Sequence, residues 1–123
     1  MPAYGVYQGN VPMQPGDYIL QSVATIAANS STTQAGGTPV TTQLVMVSSG
    51  GAGYSITLPP SVPGNEITVH LTTAGNTVKA YPSPGEAINA LGANAAITMA
   101  ALSSASFCCA TAGQWFTVPR VPS

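Results

Sequence analysis

The sequence predicts an all-β protein: a small antiparallel sandwich or jelly-roll-like module carrying an extended N-terminal arm. Three observations predict it. Polarity is carried by hydroxyls, 12 Ser and 14 Thr, against five charged side chains: Asp17, Glu66, Lys79, Glu86 and Arg120. Gly (13) and Pro (11) together supply 24 of the 123 residues, a high density of turn formers. Val, Ile and Thr recur in short runs while Lys, Glu and Arg are nearly missing; such β-branched, hydroxyl-rich sequence favours short strands joined by tight turns. Disorder is a poor match, because disordered chains combine low hydrophobicity with high charge, and here 45% of residues are hydrophobic and 4% charged.

Residues 1–16, MPAYGVYQGNVPMQPG, read as an extended arm. Pro2, Pro12 and Pro15 disfavour helix, and Gly5, Gly9 and Gly16 loosen the chain. Tyr4, Val6, Tyr7, Val11 and Met13 are apolar and need a place to bury, which points to docking on a partner. A β domain spans 17–118. Residues 17–27 suit a strand and 28–39 a loop. Residues 40–48 suit a second strand, whose run Leu44, Val45, Met46 and Val47 is apolar on both faces, as in a strand covered on both sides. Gly-rich 49–53 turns the chain. Residues 54–58 alternate and stop at Pro59-Pro60; 61–65 turn. Residues 66–72 are the clearest strand, with Ile67, Val69 and Leu71 on one side and Glu66, Thr68, His70 and Thr72 on the other. Residues 77–81 follow Gly75-Asn76 and end at Pro82, so 54–81 predict a three-strand meander. Ala-rich 86–102, broken by Gly92 and Asn94, predict a loop with one helical turn at 86–91 and a short strand at 96–100. Residues 104–118 predict a terminal hairpin with Gly113 in its loop. Residues 119–123 are a tail, and no exact internal repeat is present.

The charge count excludes several functions. Two basic residues cannot neutralise a row of phosphates, so nucleic acid is not the expected partner. No apolar run reaches the ~18 residues of a membrane span, and the start lacks the basic and apolar regions of a secretory signal. The adjacent Cys108-Cys109 pair points to opposite faces of a strand, so a bond between them needs a distorted backbone; two reduced thiols in a cytoplasmically made protein are expected. A monomer of this mass exposes roughly 6,100 Å². Five charges on that area leave it weakly solvated and weakly repelled from its neighbours. Much of the surface is therefore expected to be covered in use, by copies of the chain, by a larger assembly, or by both.

Candidate chemistry is thin. Glu66 and His70 are four residues apart on one strand, roughly 13 Å, too far for a direct pair. Glu66 and Glu86 make a glycosidase dyad only by accident of folding. There is no G-x-S-x-G elbow, and Gly50-Gly51-Ala52-Gly53 lacks the Lys-Ser/Thr of a phosphate cradle. Trp115 and the tyrosines could form a sugar-stacking platform; core or interface aromatics are the favoured reading. No catalytic residue, cofactor or metal is expected. Leu44, Val45, Met46, Tyr81, Trp115 and Phe116 are assigned to the core or to an oligomer interface.

From residue 54 onward the order of pieces is Ile56-Thr57-Leu58-Pro59, Gly64, the strand 66–72, Val78-Lys79-Ala80-Tyr81-Pro82, Gly85, Ile88-Asn89, the segment 93–102, Phe107 and Gly113-Gln114-Trp115. Over about the last 70 residues this resembles β-rich modules of tailed-bacteriophage virions, most of all small capsid decoration (cement) proteins. A Gly often follows "IN" in that pattern, where this chain has Ala90. The resemblance implies a homotrimer on the outside of the phage head, with the major capsid protein as partner. A chain of one compact β module and one anchoring arm fits decoration better than a fibre. The alternative is a receptor- or carbohydrate-binding module of a fibre or spike.

Overall fold

A computed structural model describes residues 22–119, together with two short strands, β1 (Tyr7–Gln8) and β2 (Val11–Pro12), which pair antiparallel with each other. The docking residues Tyr4, Val6 and Met13 and the side chains of Tyr7 and Val11 lie outside the described part, as do residues 17–21 and 120–123.

The described residues are all β, without a helix. From Val23 to Tyr81 the chain winds between two sheets. β3 (Val23–Ala27), β5 (Leu44–Ser48) and β7 (Glu66–Leu71) are parallel neighbours in one sheet. β4 (Thr38–Pro39), β6 (Tyr54–Thr57) and β8 (Val78–Tyr81), which alternate with them along the chain, are parallel neighbours in the other. This is solenoid-like stacking, with Val23 over Leu44 over Thr68 and Thr38 over Ile56 over Ala80. The remaining strands, β9 (Ala87–Ile88), β10 (Ile97–Met99), β11 (Ser104–Thr111) and β12 (Gln114–Pro119), close the structure. β10 adds antiparallel to β8, β11 antiparallel to β7, and β12 antiparallel to β11, while β9 runs parallel to β12. The larger sheet has the order β3-β5-β7-β11-β12-β9, and the smaller β10-β8-β6-β4.

The core lies between the sheets. Val45, Val47, Ile67, Val69, Leu71, Phe107 and Trp115 point in from the large sheet, and Ile56, Leu58, Val78, Ala80 and Met99 from the small one, all buried. Removing this apolar area from water supplies the main driving force in a chain with almost no ion pairs to form.

The sequence reading needs four corrections. Residues 54–81 are not a meander: β6 and β8 pair with each other in parallel, and the strand between them belongs to the opposite sheet. The sheets are mixed, with parallel centres, and do not follow a simple antiparallel sandwich. Residues 86–91 hold no helical turn; a two-residue strand there is followed by a turn, because Asn89 takes a left-handed backbone (φ 52°) that ends regular structure. The 44–47 run is fully covered on one side only: Val45 and Val47 are buried, whereas Leu44 and Met46 are half-buried on the outer face.

Residues 28–39, expected as a loop, end in β4, and the 29–37 part does structural work. It lies along β6 and β8 and takes up their outward hydroxyls. Ser55 Oγ donates to the Ser31 carbonyl (2.6 Å), Thr57 Oγ1 to that of Gln34 (2.9 Å) and Tyr81 Oη to that of Thr32 (2.6 Å). Ser55 is consequently fully buried on what would be the outside of the small sheet. Close approach requires Gly37: a Cβ there would meet the Ile56 carbonyl carbon at 3.0 Å, with Thr57 Oγ1 nearer still.

Ile56→Ala is expected to cost about 2–5 kcal/mol, as for other large-to-small core changes, and Gly37→Ala about 1–3 kcal/mol by overpacking. Val118→Thr, on the exposed face, should stay within about 0.5 kcal/mol. Urea unfolding of the three variants checks the order.

Candidate functional site

The described residues hold no group of three or more His, Cys, Asp and Glu side chains close enough to grip a metal ion. Among them, Glu86 is engaged in holding the fold. Glu86, in the turn before β9, accepts from the Ser61 amide (3.0 and 3.1 Å) and from Ser61 Oγ (3.0 Å). Ser61 Oγ in turn accepts from the Gly113 amide at 2.6 Å. A hydroxyl that donates to a carboxylate and accepts from an amide uses its proton and a lone pair without conflict. This chain of bonds ties the 61–65 turn, the Gly85–Asn89 segment and the β11–β12 turn together. Gly113 in that last turn has φ 87°, as a hairpin loop glycine requires.

The Ile88-Asn89 and Gln114-Trp115 pieces of the motif meet in space. Ile88 and Trp115 are both fully buried and in register between β9 and β12. The Asn89 side chain then acts as one more rung: Oδ1 accepts from the Thr117 amide (3.0 Å), and Nδ2 donates to Thr117 Oγ1 (2.8 Å). Gln114 Nε2 donates to the Asn89 carbonyl at 2.8 Å. The motif is thus a packing and hydrogen-bonding device. Trp115 has no exposed ring face, so it cannot stack on a sugar, which corrects the platform reading. Tyr81 is half-buried and bonded to the 29–37 loop. Among the described residues, Trp115 Nε1 is buried without a hydrogen-bond partner.

A cleft of about 230 Å³ opens beside Ser22, Gln43, Pro59, Asn65 and Glu66. It is smaller than the ~300–1,000 Å³ typical of small-molecule sites, and among the described residues it brings in one carboxylate with no histidine or cation beside it.

What remains is the outward face of the large sheet. Residues alternate across it, and the outward set is Val23, Thr25 and Ala27 of β3; Leu44, Met46 and Ser48 of β5; Glu66, Thr68 and His70 of β7; Ser104, Ser106 and Cys108 of β11; and Phe116 and Val118 of β12. Val23 (60% exposed), Phe116 (48%) and Val118 (57%) are large apolar side chains in water. Of the six residues assigned to core or interface, the structure puts Val45 and Trp115 in the core, Leu44, Met46 and Phe116 on this face, and Tyr81 on the other sheet. The sequence reading did not single out Val23 or Val118 at the two sides of the face; their period-two placement opposite Leu44 and Ser106 could have found them only with the pairing known. His70 hydrogen-bonds Ser104 across the strands, not Glu66. Cys108 and Cys109 are both free thiols on opposite sides of β11, the first on this face and the second buried. Partial burial pushes the Cys108 thiol above its ordinary pKa, and Glu66, 3.6 Å from the sulfur, pushes the same way by hydrogen bonding and by repelling the thiolate.

No family model matches the chain, and no curated protein or solved structure was found to be similar to it.

Two outcomes follow. Ser61→Ala strands the Gly113 amide and removes the hydroxyl donor to Glu86, which keeps the Ser61 amide, and should cost about 1–3 kcal/mol in chemical denaturation. A raised thiol pKa shifts thiolate formation to higher pH, so Cys108 should react with iodoacetamide more slowly than a free cysteine at mildly alkaline pH. Glu66→Gln should speed that reaction, as read by peptide mass spectrometry, while buried Cys109 stays unmodified.

Proposed function

We propose that this chain is a structural component of a tailed-phage particle, a capsid decoration protein that binds the outside of the shell as an oligomer and stabilises it by bridging capsid subunits. The observation that carries this reading is a broad, nearly uncharged sheet face with large apolar side chains held in water. Such a face suits assembly better than turnover. The resemblance of residues 54–115 to virion modules supplies the particle. The mechanism is mass action: a protein that binds the mature shell better than the ruptured one stabilises the former by RT ln(1 + [L]/Kd). Linked copies, each with an arm of residues 1–16, raise the effective concentration at every site. With two cations and three acids in the chain, binding depends on apolar contact and neutral hydrogen bonds, and salt screens it little.

The test is binding of the full chain and of a 17–123 chain to undecorated capsids, read by sedimentation and cryo-electron microscopy. The truncated chain is expected to stay folded and oligomeric while losing capsid binding, and the full chain to keep binding as salt rises. Normal occupancy by the truncated chain would remove the arm from the mechanism; no binding by the full chain would defeat the capsid reading.

A further inference from the structure

We propose that the outward face of the large sheet is the surface through which copies of this chain associate, with Val23, Leu44, Met46, Phe116 and Val118 as its apolar contacts. This deepens the assembly reading above by separating two surfaces: the sheet face for a second copy, the arm for the shell.

Three features of the face carry the inference. The first is its contrast with the other sheet. The outward hydroxyls of β6 and β8 are covered by the chain's own 29–37 loop, which buries Ser55 completely. Among the described residues no segment does the same for the larger and more apolar sheet, whose Val23, Phe116 and Val118 are about half exposed or more. The second is that polar groups at its centre pair with one another across the strands. Thr68 Oγ1 and Ser106 Oγ are 3.0 Å apart, and His70 Nδ1 pairs with Ser104 Oγ. Polar groups with partners in place can lose water at small cost, whereas unpaired ones cannot. The third is size. The six strands, two to eight residues long, at about 3.3 Å per residue and about 4.8 Å spacing present roughly 500 Å² in projection. The accessible area of a corrugated sheet exceeds its projection, which brings the face toward the ~800 Å² that each partner contributes to a standard interface.

Charge selects the occupant. The face carries no lysine or arginine and a single carboxylate, Glu66, at the end of β7 near the rim. It has nothing to hold a polyanion or an anionic headgroup. It also has almost nothing to repel its own likeness, and a symmetric assembly places one patch against a copy of itself. A second copy of the chain fits that requirement without a complementary charge pattern on a foreign surface.

The experiment is sedimentation velocity on the isolated full chain across a wide concentration range, with Val23→Asp and Val118→Asp at the two sides of the face and Thr98→Asp on the outer side of the small sheet as control. Wild type and Thr98→Asp are expected to associate, and both face variants to weaken association by about tenfold or more, since each buries an unpaired charge. Thermal unfolding reports whether the variants fold. A readout needing no substitution is Cys108, which lies on the face: its alkylation should slow as wild-type concentration rises. A wild-type monomer at every concentration, association that both face variants leave intact, or Cys108 labelling independent of concentration would overturn the inference. A monomer that still occupied capsids would overturn the interface and leave the capsid reading standing.

Discussion

A chain with five charged side chains must satisfy its polar groups with neutral partners, and the rest of the structure follows from that constraint. Backbone amides and carbonyls go into the two sheets, as buried backbone requires. Side-chain hydroxyls go to loop carbonyls: Ser31, Thr32 and Gln34 offer theirs to Ser55, Tyr81 and Thr57. Amide side chains imitate strands, as Asn89 does against Thr117. Among the described residues, the carboxylate with several partners, Glu86, is reached through Ser61 rather than through a cation. Neutral bonds are short-ranged and directional, so they fix loops onto sheets with little tolerance for displacement. That explains why Gly37, with the Ile56 backbone close against it, has no room for a side chain.

Local pattern was legible where the pairing is local. The alternation of residues 66–71 gave β7 with its buried and outward faces correctly assigned, and the 104–118 hairpin appears as β11 and β12 with Gly113 in the turn. Pro59 and Pro82 follow β6 and β8 as strand terminators. The opposite cysteine faces also follow from period two.

The winding was not legible, for a physical reason. Alternation shows which side of a strand is buried, and it is blind to which of two sheets the strand joins. A strand packed inward from either sheet has the same signature, so β6, β7 and β8 read as neighbours although the middle one lies across the core. Coils of equal length would have left a repeat in the sequence. Here Val23 stacks on Leu44 and Leu44 on Thr68 at unequal separations, so no period survives. The same blindness hid the outward face: Leu44 and Met46 beside Val45 and Val47 look like a strand buried twice, unless the exposure of Val23 and Val118 on flanking strands is already known. Asn89 was hidden differently, since its role depends on Thr117, 28 residues away.

The winding half of the molecule has one more property. From Tyr18 to Asn65 there is no Asp, Glu, His, Lys or Arg, and this stretch contains β3 through β6. Stability varies with pH only where folding changes the affinity of some group for protons. Within those coils nothing titrates across the ordinary acid range. Acidification therefore has no lever within the first turns of the spiral. The part of the protein that looks least protected by electrostatics is, for that reason, indifferent to the acidity of its surroundings.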